Sequence, residues 1–193
     1  MRKWLIVFLV LGITLAGAFI VYDRQNQAIP KEQELSSQGE LQDEALGKGD
    51  QAPVVGIRTG NLAPDFTLEN LDQEKVSLSD FKGKQVLLNF WSTECIVCRE
   101  EMPELNEFYL KMKDENLVVL GVSLGESRDK VKTFMEEGGY QFPILLDSDL
   151  EITFQYSILY MPTTFFINEA GIIEGMKIGA LTLDELNQIY DLQ

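Results

Sequence analysis

Cys95 and Cys98 are the only cysteines in the chain, and they stand in a C-x-x-C pair. A dithiol at this spacing can cycle between two thiols and a disulfide. One thiolate attacks a disulfide of another molecule, and its neighbour resolves the mixed disulfide that results. The pair follows QVLLNFW (Gln85–Trp91), an apolar run continuous enough for a central buried strand. It opens a stretch from Cys95 to Glu115 that reads as a helix, with Pro103 as its expected kink. Unpaired N–H groups and the macrodipole at a helix N-terminus stabilise a thiolate, so Cys95 is the expected nucleophile. Cys98, one turn further in, is the expected resolving thiol. Two other uses stand beside exchange. A structural disulfide over so short a loop constrains the unfolded chain little. Half a zinc site would need a second chain to complete it. Covalent haem attachment fails, because Arg99 stands where a histidine is required.

The rest of the composition narrows the chemistry. The 193 residues contain no histidine, which removes Ser-His-Asp and Cys-His catalysis and His-ligated zinc. Against 31 Asp and Glu there are 16 Lys and Arg, a formal net charge of −15, so nucleic acid is not an expected partner. With 45% hydrophobic and 24% charged residues, the chain has the make-up of a globular protein with room for one domain.

The elements that must position the pair occupy the C-terminal two-thirds. Extended pieces are expected at Phe66–Leu68 and Lys75–Leu78, then the strand Gln85–Trp91 and the helix of the cysteine pair. Leu117–Leu124 reads as a second central strand, Ser127–Glu137 as a helix, Phe142–Leu146 as a strand and Leu150–Tyr156 as a short helix. Thr163–Ile167 and Ile172–Ile178 look like antiparallel partners joined around Gly171. A last helix starts at Thr182, which forms a capping box with Glu185 three residues on. Strands alternating with helices and closing on a hairpin and a helix predict a three-layer α/β sandwich with a mixed central sheet.

Before this domain, Arg2 and Lys3 precede an apolar run from Trp4 to Val21, broken only by Gly12, Thr14 and Gly17. Eighteen residues at helical rise span about 27 Å, close to the thickness of a bilayer core. Residues 1–22 are therefore expected to be a transmembrane anchor, with the N-terminus inside and the remainder exported. A cleaved signal peptide would carry the same charges, and Ala16-Gly17-Ala18 resembles its cleavage site, but the apolar run continues through Val21. Residues 23–58 lack aromatics and are rich in Gln, Glu, Ser and Gly, the composition of a polar tether leading to a domain over 59–193. That domain carries 10 basic and 24 acidic residues, the charge of an ordinary soluble acidic surface, which an anionic membrane is also expected to repel.

The stretch NFWSTECIVCREEMPEL (Asn89–Leu105) resembles the active-site signature of membrane-anchored thioredoxin-like proteins of the bacterial TlpA/ResA group. APDFTL (Ala63–Leu68), LSDFKGK (Leu78–Lys84) and MPTTFFIN (Met161–Asn168) follow the same pattern in the same order. The resemblance implies a thioredoxin-like fold and a thiol-disulfide oxidoreductase without cofactor. Its substrates would be disulfides of exported proteins, such as apocytochrome c cysteines before haem attachment. Its reductant would be an integral-membrane electron donor of the thiol-carrier type. Pro162 corresponds to the group's cis-proline, whose loop presents Met161 backbone groups to an extended substrate. Glu101 matches an acidic residue carried three positions after the second cysteine, able to raise thiol pKa values or relay a proton. Trp91 is available to pack beside the site as a substrate-binding residue, although a buried tryptophan ending a strand is commonly just core. Glu100 and Glu104 read as ordinary solvated residues.

Peroxiredoxins share the fold and two of these segments, but Leu88 occupies the place of their proline, although Ser92 fits the second offset. A thiol peroxidase is thus one alternative, and a non-catalytic adaptor or metal carrier another. One departure from the TlpA/ResA pattern matters: Glu94 stands where an aromatic residue usually precedes the first cysteine. Its charge is expected to oppose a thiolate on Cys95. Ile96 and Val97, apolar between the cysteines, also differ from the common choices.

Overall fold

A computed structural model describes residues 53–190. The anchor or signal peptide expected over 1–22, and the tether up to residue 52, lie outside these residues. No helix among the described residues is long and apolar enough to cross a membrane.

The two most apolar runs form the centre of the molecule. β3 (Gln85–Trp91) and β4 (Leu117–Leu124) have the bounds read from sequence, and they pair in parallel. Their side chains are buried on both faces, which is why neither run alternates. β5 (Ile144–Asp147) lies parallel to β4, and β6 (Thr163–Ile167) runs antiparallel to β3. β7 (Ile173–Ile178) pairs antiparallel with β6. A hairpin of β1 (Thr67–Asn70) and β2 (Lys75–Ser77) adds to β5, giving the seven-stranded mixed order β2-β1-β5-β4-β3-β6-β7.

Four helices accompany the sheet: α1 (Ile96–Met112), α2 (Arg128–Gly138), α3 (Glu151–Gln155) and α4 (Leu183–Ile189). On one face Leu87, Trp91 and Val119 pack against Cys98, Met102, Leu105 and Phe108 of α1, Val131 and Met135 of α2, and Leu186 of α4. On the other, Leu88, Phe90, Leu120 and Phe165 pack against Ile152 of α3, Tyr156 and the segment carrying Ala63 and Phe66. Three layers result, as the alternation of elements predicts.

Several boundaries differ from the sequence reading. β1 lies further along than Phe66–Leu68, because Asn70 closes the hairpin: its Oδ1 accepts the N–H groups of Asp72 and Glu74, each at 2.9 Å. Leu78 leaves the second piece to begin a 3-10 turn, Leu78–Phe81, whose capping box joins Ser77 and Asp80. β5 begins after Phe142 and Pro143, since proline has no N–H to give to a ladder. α1 stops at Met112, and Pro103 lies within it without ending it. Residues just before Thr59 also make contacts with the fold. Gly56 and Leu62 exchange backbone hydrogen bonds with Leu62 and Val54, at 3.0 and 2.9 Å, and Ile57 packs on the second core.

Candidate active site

β3 delivers the chain to the cysteine pair at the carboxyl end of the central strands. Cys95 is the N-cap of α1, and its Sγ accepts the Cys98 N–H at 3.1 Å. A sulfur thus takes the place of the usual capping oxygen, in the position where the helix end favours negative charge. Cys95 and Cys98 are joined in a disulfide, with Cα atoms 5.2 Å apart. Cys95 is partly exposed, whereas Cys98 is fully buried. A visiting molecule can therefore reach only one of the two sulfurs.

The Met161–Pro162 peptide is cis, and the Met161 carbonyl oxygen lies 3.7 Å from Cys95 Sγ. Pro162 itself is buried; Met161, Tyr160 and Leu159 are exposed, as are Ile96 and Val97 on the other side of Cys95. The reachable sulfur thus sits among apolar side chains and beside backbone groups of the Pro162 loop.

Glu101 is not a solvated residue. It is 1% exposed; Asn89 Nδ2 donates to its Oε1 and the Leu181 N–H to its Oε2, both at 2.9 Å. Asn89 Nδ2 also donates to Thr164 Oγ1 at 2.9 Å, so β3, β6 and the approach to α4 converge on this one carboxyl. Burial pushes its pKa up to about 7, against the opposing pull of the Leu181 and Asn89 hydrogen bonds and of Lys177. It lies one turn beyond Cys98 on the same helix face.

Trp91 does pack beside the site, but from beneath, fully buried in the cluster that holds Cys98. Alternation along β3 turns its ring toward the layer of α1 and α2, where it stacks on Phe134 with centroids 5.4 Å apart. The Arg99 guanidinium lies over the same Phe134 ring, 5.8 Å from its centroid. Glu104 is also more than a surface residue, for its Oε2 accepts the Leu183 N–H at 2.8 Å and helps cap α4.

Glu94, expected to present a bare charge, is paired: Lys130 Nζ lies 2.5 Å from its Oε1. The same ammonium lies 2.9 Å from Oε1 of Glu126, a buried residue absent from the sequence reading. Glu126 accepts the Thr93 N–H at 2.8 Å, the Thr93 hydroxyl at 2.5 Å and the Ser123 hydroxyl at 3.0 Å. Burial would push its carboxyl up, but hydrogen bonds from Thr93, Lys130 and Ser123 outweigh this and hold it below the usual carboxylate range. These partners are 33 residues apart at Thr93 and Glu126, a separation that leaves no local signal. A Glu-Lys spacing of four at 126 and 130 was the one available hint.

Residues 59–176 match the AhpC/TSA family. The chain is 41% identical over 141 residues to the thioredoxin-like protein YneN of Bacillus subtilis, covering 72% of this chain and 82% of that protein. It is 36% identical over 136 residues to the thiol-disulfide oxidoreductase ResA of the same organism, covering 70% and 76%. Among solved structures, it resembles the thioredoxin domain of a thiol-disulfide oxidoreductase from Bacteroides vulgatus. That match has a TM-score of 0.62 at 31% identity over 70% of this chain and 97% of the other. The mixed sheet with its flanking helices is accordingly a thioredoxin-like fold.

Proposed function

From the premise that the chain belongs to the AhpC/TSA family and is a ResA-like thiol-disulfide oxidoreductase, we propose that it reduces disulfides of exported proteins outside the cytoplasmic membrane. The reduced pair begins the cycle. The Cys95 thiolate attacks one sulfur of a substrate disulfide, that S–S bond breaks, and the expelled substrate sulfur takes up a proton. Cys98 loses its proton, attacks Cys95 Sγ and breaks the mixed disulfide, releasing the second substrate thiol. Two electrons have passed to the substrate, and the Cys95–Cys98 disulfide remains. Glu101, with a pKa of about 7, is the group suited to take the Cys98 proton. Met161 and Pro162 supply the backbone edge along which an extended substrate lies. An integral-membrane thiol donor returns the pair to its reduced state.

The observation that carries this reading is the asymmetry of the pair: one reachable sulfur, a second sealed beneath it, and a buried carboxylic acid beyond the second. In this proposal residues 1–22 anchor the protein, residues 23–58 form the tether, and the domain over 59–193 lies on the extracytoplasmic side. A disulfide between the apocytochrome c cysteines, reduced before haem attachment, is a substrate of the right chemistry. Cys98→Ala is expected to accumulate mixed disulfides through Cys95 in cells, separable by diagonal electrophoresis; a strain in which none accumulates overturns the mechanism. The direction of electron flow is read from the reduction potential. A value near or below about −250 mV fits a reductant, and one near about −120 mV makes the protein a disulfide donor instead.

A further inference from the structure

Glu94, the residue before the expected nucleophile, is one point at which the chain departs from the TlpA/ResA pattern it resembles, and the structure adds a second charge there. Lys130 projects from the first turn of α2, four residues beyond Glu126. Glu126 cannot swing, because it is buried and its two oxygens hold the Thr93 N–H and the hydroxyls of Thr93 and Ser123. Lys130 Nζ is therefore fastened to a fixed carboxylate at 2.9 Å while it reaches Glu94 at 2.5 Å. The Glu94 side chain is 78% exposed and on its own would be free to place its charge beside Cys95.

We propose that Lys130 is a positioning residue for the exchange reaction: held by buried Glu126, it draws Glu94 into an ion pair and removes the charge that would oppose a thiolate on Cys95. The proposal goes beyond the reductase reading and rests only on its choice of Cys95 as the attacking thiol. The charged groups around that sulfur come from every neighbouring element. Glu94 lies in the turn before it, Arg99, Glu100 and Glu101 in α1, Glu126 after β4, Lys130 in α2 and Lys177 in β7, near Glu101; the Met161–Pro162 dipeptide carries no charge. Of the cations among them, Arg99 is turned onto the Phe134 ring and Lys177 is paired with Glu185, which leaves Lys130. Lys130 alone pairs with Glu94 among the described residues.

The test is the pH dependence of iodoacetamide alkylation of the full-length, reduced protein, with the modified cysteine identified by mass spectrometry. Lys130→Met is expected to raise the apparent Cys95 pKa by roughly half a unit to one unit, slowing alkylation at neutral pH about three- to tenfold. Glu94→Gln alone should lower it, Lys130→Arg should retain the native value, and Glu94→Gln with Lys130→Met should restore it. High salt should shrink the difference between Lys130→Met and the native protein. An unchanged pKa in Lys130→Met overturns the proposal. So does a raised pKa that the second substitution fails to restore, for that outcome assigns the effect to the Glu126–Thr93 turn. Alkylation of Cys98 in place of Cys95 would instead remove the assignment of the nucleophile, and the mass identifies that failure separately.

Discussion

Glu101 shows how one buried group converts composition into behaviour. Its pKa of about 7 lies above the ordinary 4.5 because burial disfavours the carboxylate. The folded protein consequently binds more protons than the unfolded chain between these values. Stability from this group is fully present below about pH 4.5 and is lost as pH rises through about 7, an effect of roughly 3 kcal/mol. With no histidine in the chain, few other side chains titrate in that window. Glu101→Gln in the oxidised protein should flatten the fall, and urea denaturation midpoints at pH 5 and pH 8 measure it. If the native protein and the variant lose the same stability between those pH values, the carboxyl is not the titrating group. The cysteine pair was legible in the sequence from spacing and setting alone, and Pro162 and Glu101 through resemblance. Trp91 packs beside Cys98 from the buried side, a placement left open in the sequence because a strand-end tryptophan carries no mark of the face it takes. The Glu126–Lys130–Glu94 cluster stayed hidden because its partners meet only after β3 and β4 have paired.

At the scale of elements, legibility followed burial. The strands buried on both faces, β3 and β4, were read to the residue, as was β6, because their apolar runs are long or sharply bounded. β1 and β5 were misplaced where the decisive signal was a turn, an Asn70 side chain or Pro143, that hydrophobicity does not register. Packing between elements also fixes residues that look neutral in sequence. Gly121 of β4 stands opposite Asn89 and beneath the Trp91 ring. A Cβ there would lie 2.6 Å from Ile144 Cδ1 and 3.0 Å from Trp91 Nε1. Gly121→Ala should therefore destabilise the fold by about 2 kcal/mol, seen as a lower denaturation midpoint. Retention of native stability would mean that Ile144 and Trp91 yield more easily than their burial suggests.

For the whole molecule, a strongly acidic chain carries exposed apolar side chains on two separate segments that meet at Cys95. Ile96 and Val97 follow Cys95 at the start of α1, and Leu159 and Tyr160 precede Met161, whose carbonyl oxygen lies 3.7 Å from Cys95 Sγ; all five are exposed. Such side chains contribute to a protein substrate but hardly to a small disulfide reagent. Leu159→Ser combined with Tyr160→Ser should lower kcat/KM for a protein disulfide about tenfold while leaving the rate with a small aromatic disulfide unchanged. Equal losses with both substrates would assign the loop to the chemistry and not to docking.

The sealed state of Cys98 reaches into kinetics. With one sulfur open to visitors, the molecule that gives electrons and the molecule that receives them must use the same doorway, and neither can wait inside while the other is served. Turnover must then alternate between two half-reactions, so double-reciprocal plots at several donor concentrations should run parallel and each partner in excess should inhibit competitively against the other. Intersecting lines would require a ternary complex, and with it a second entrance to the pair that the fully buried Cys98 does not offer.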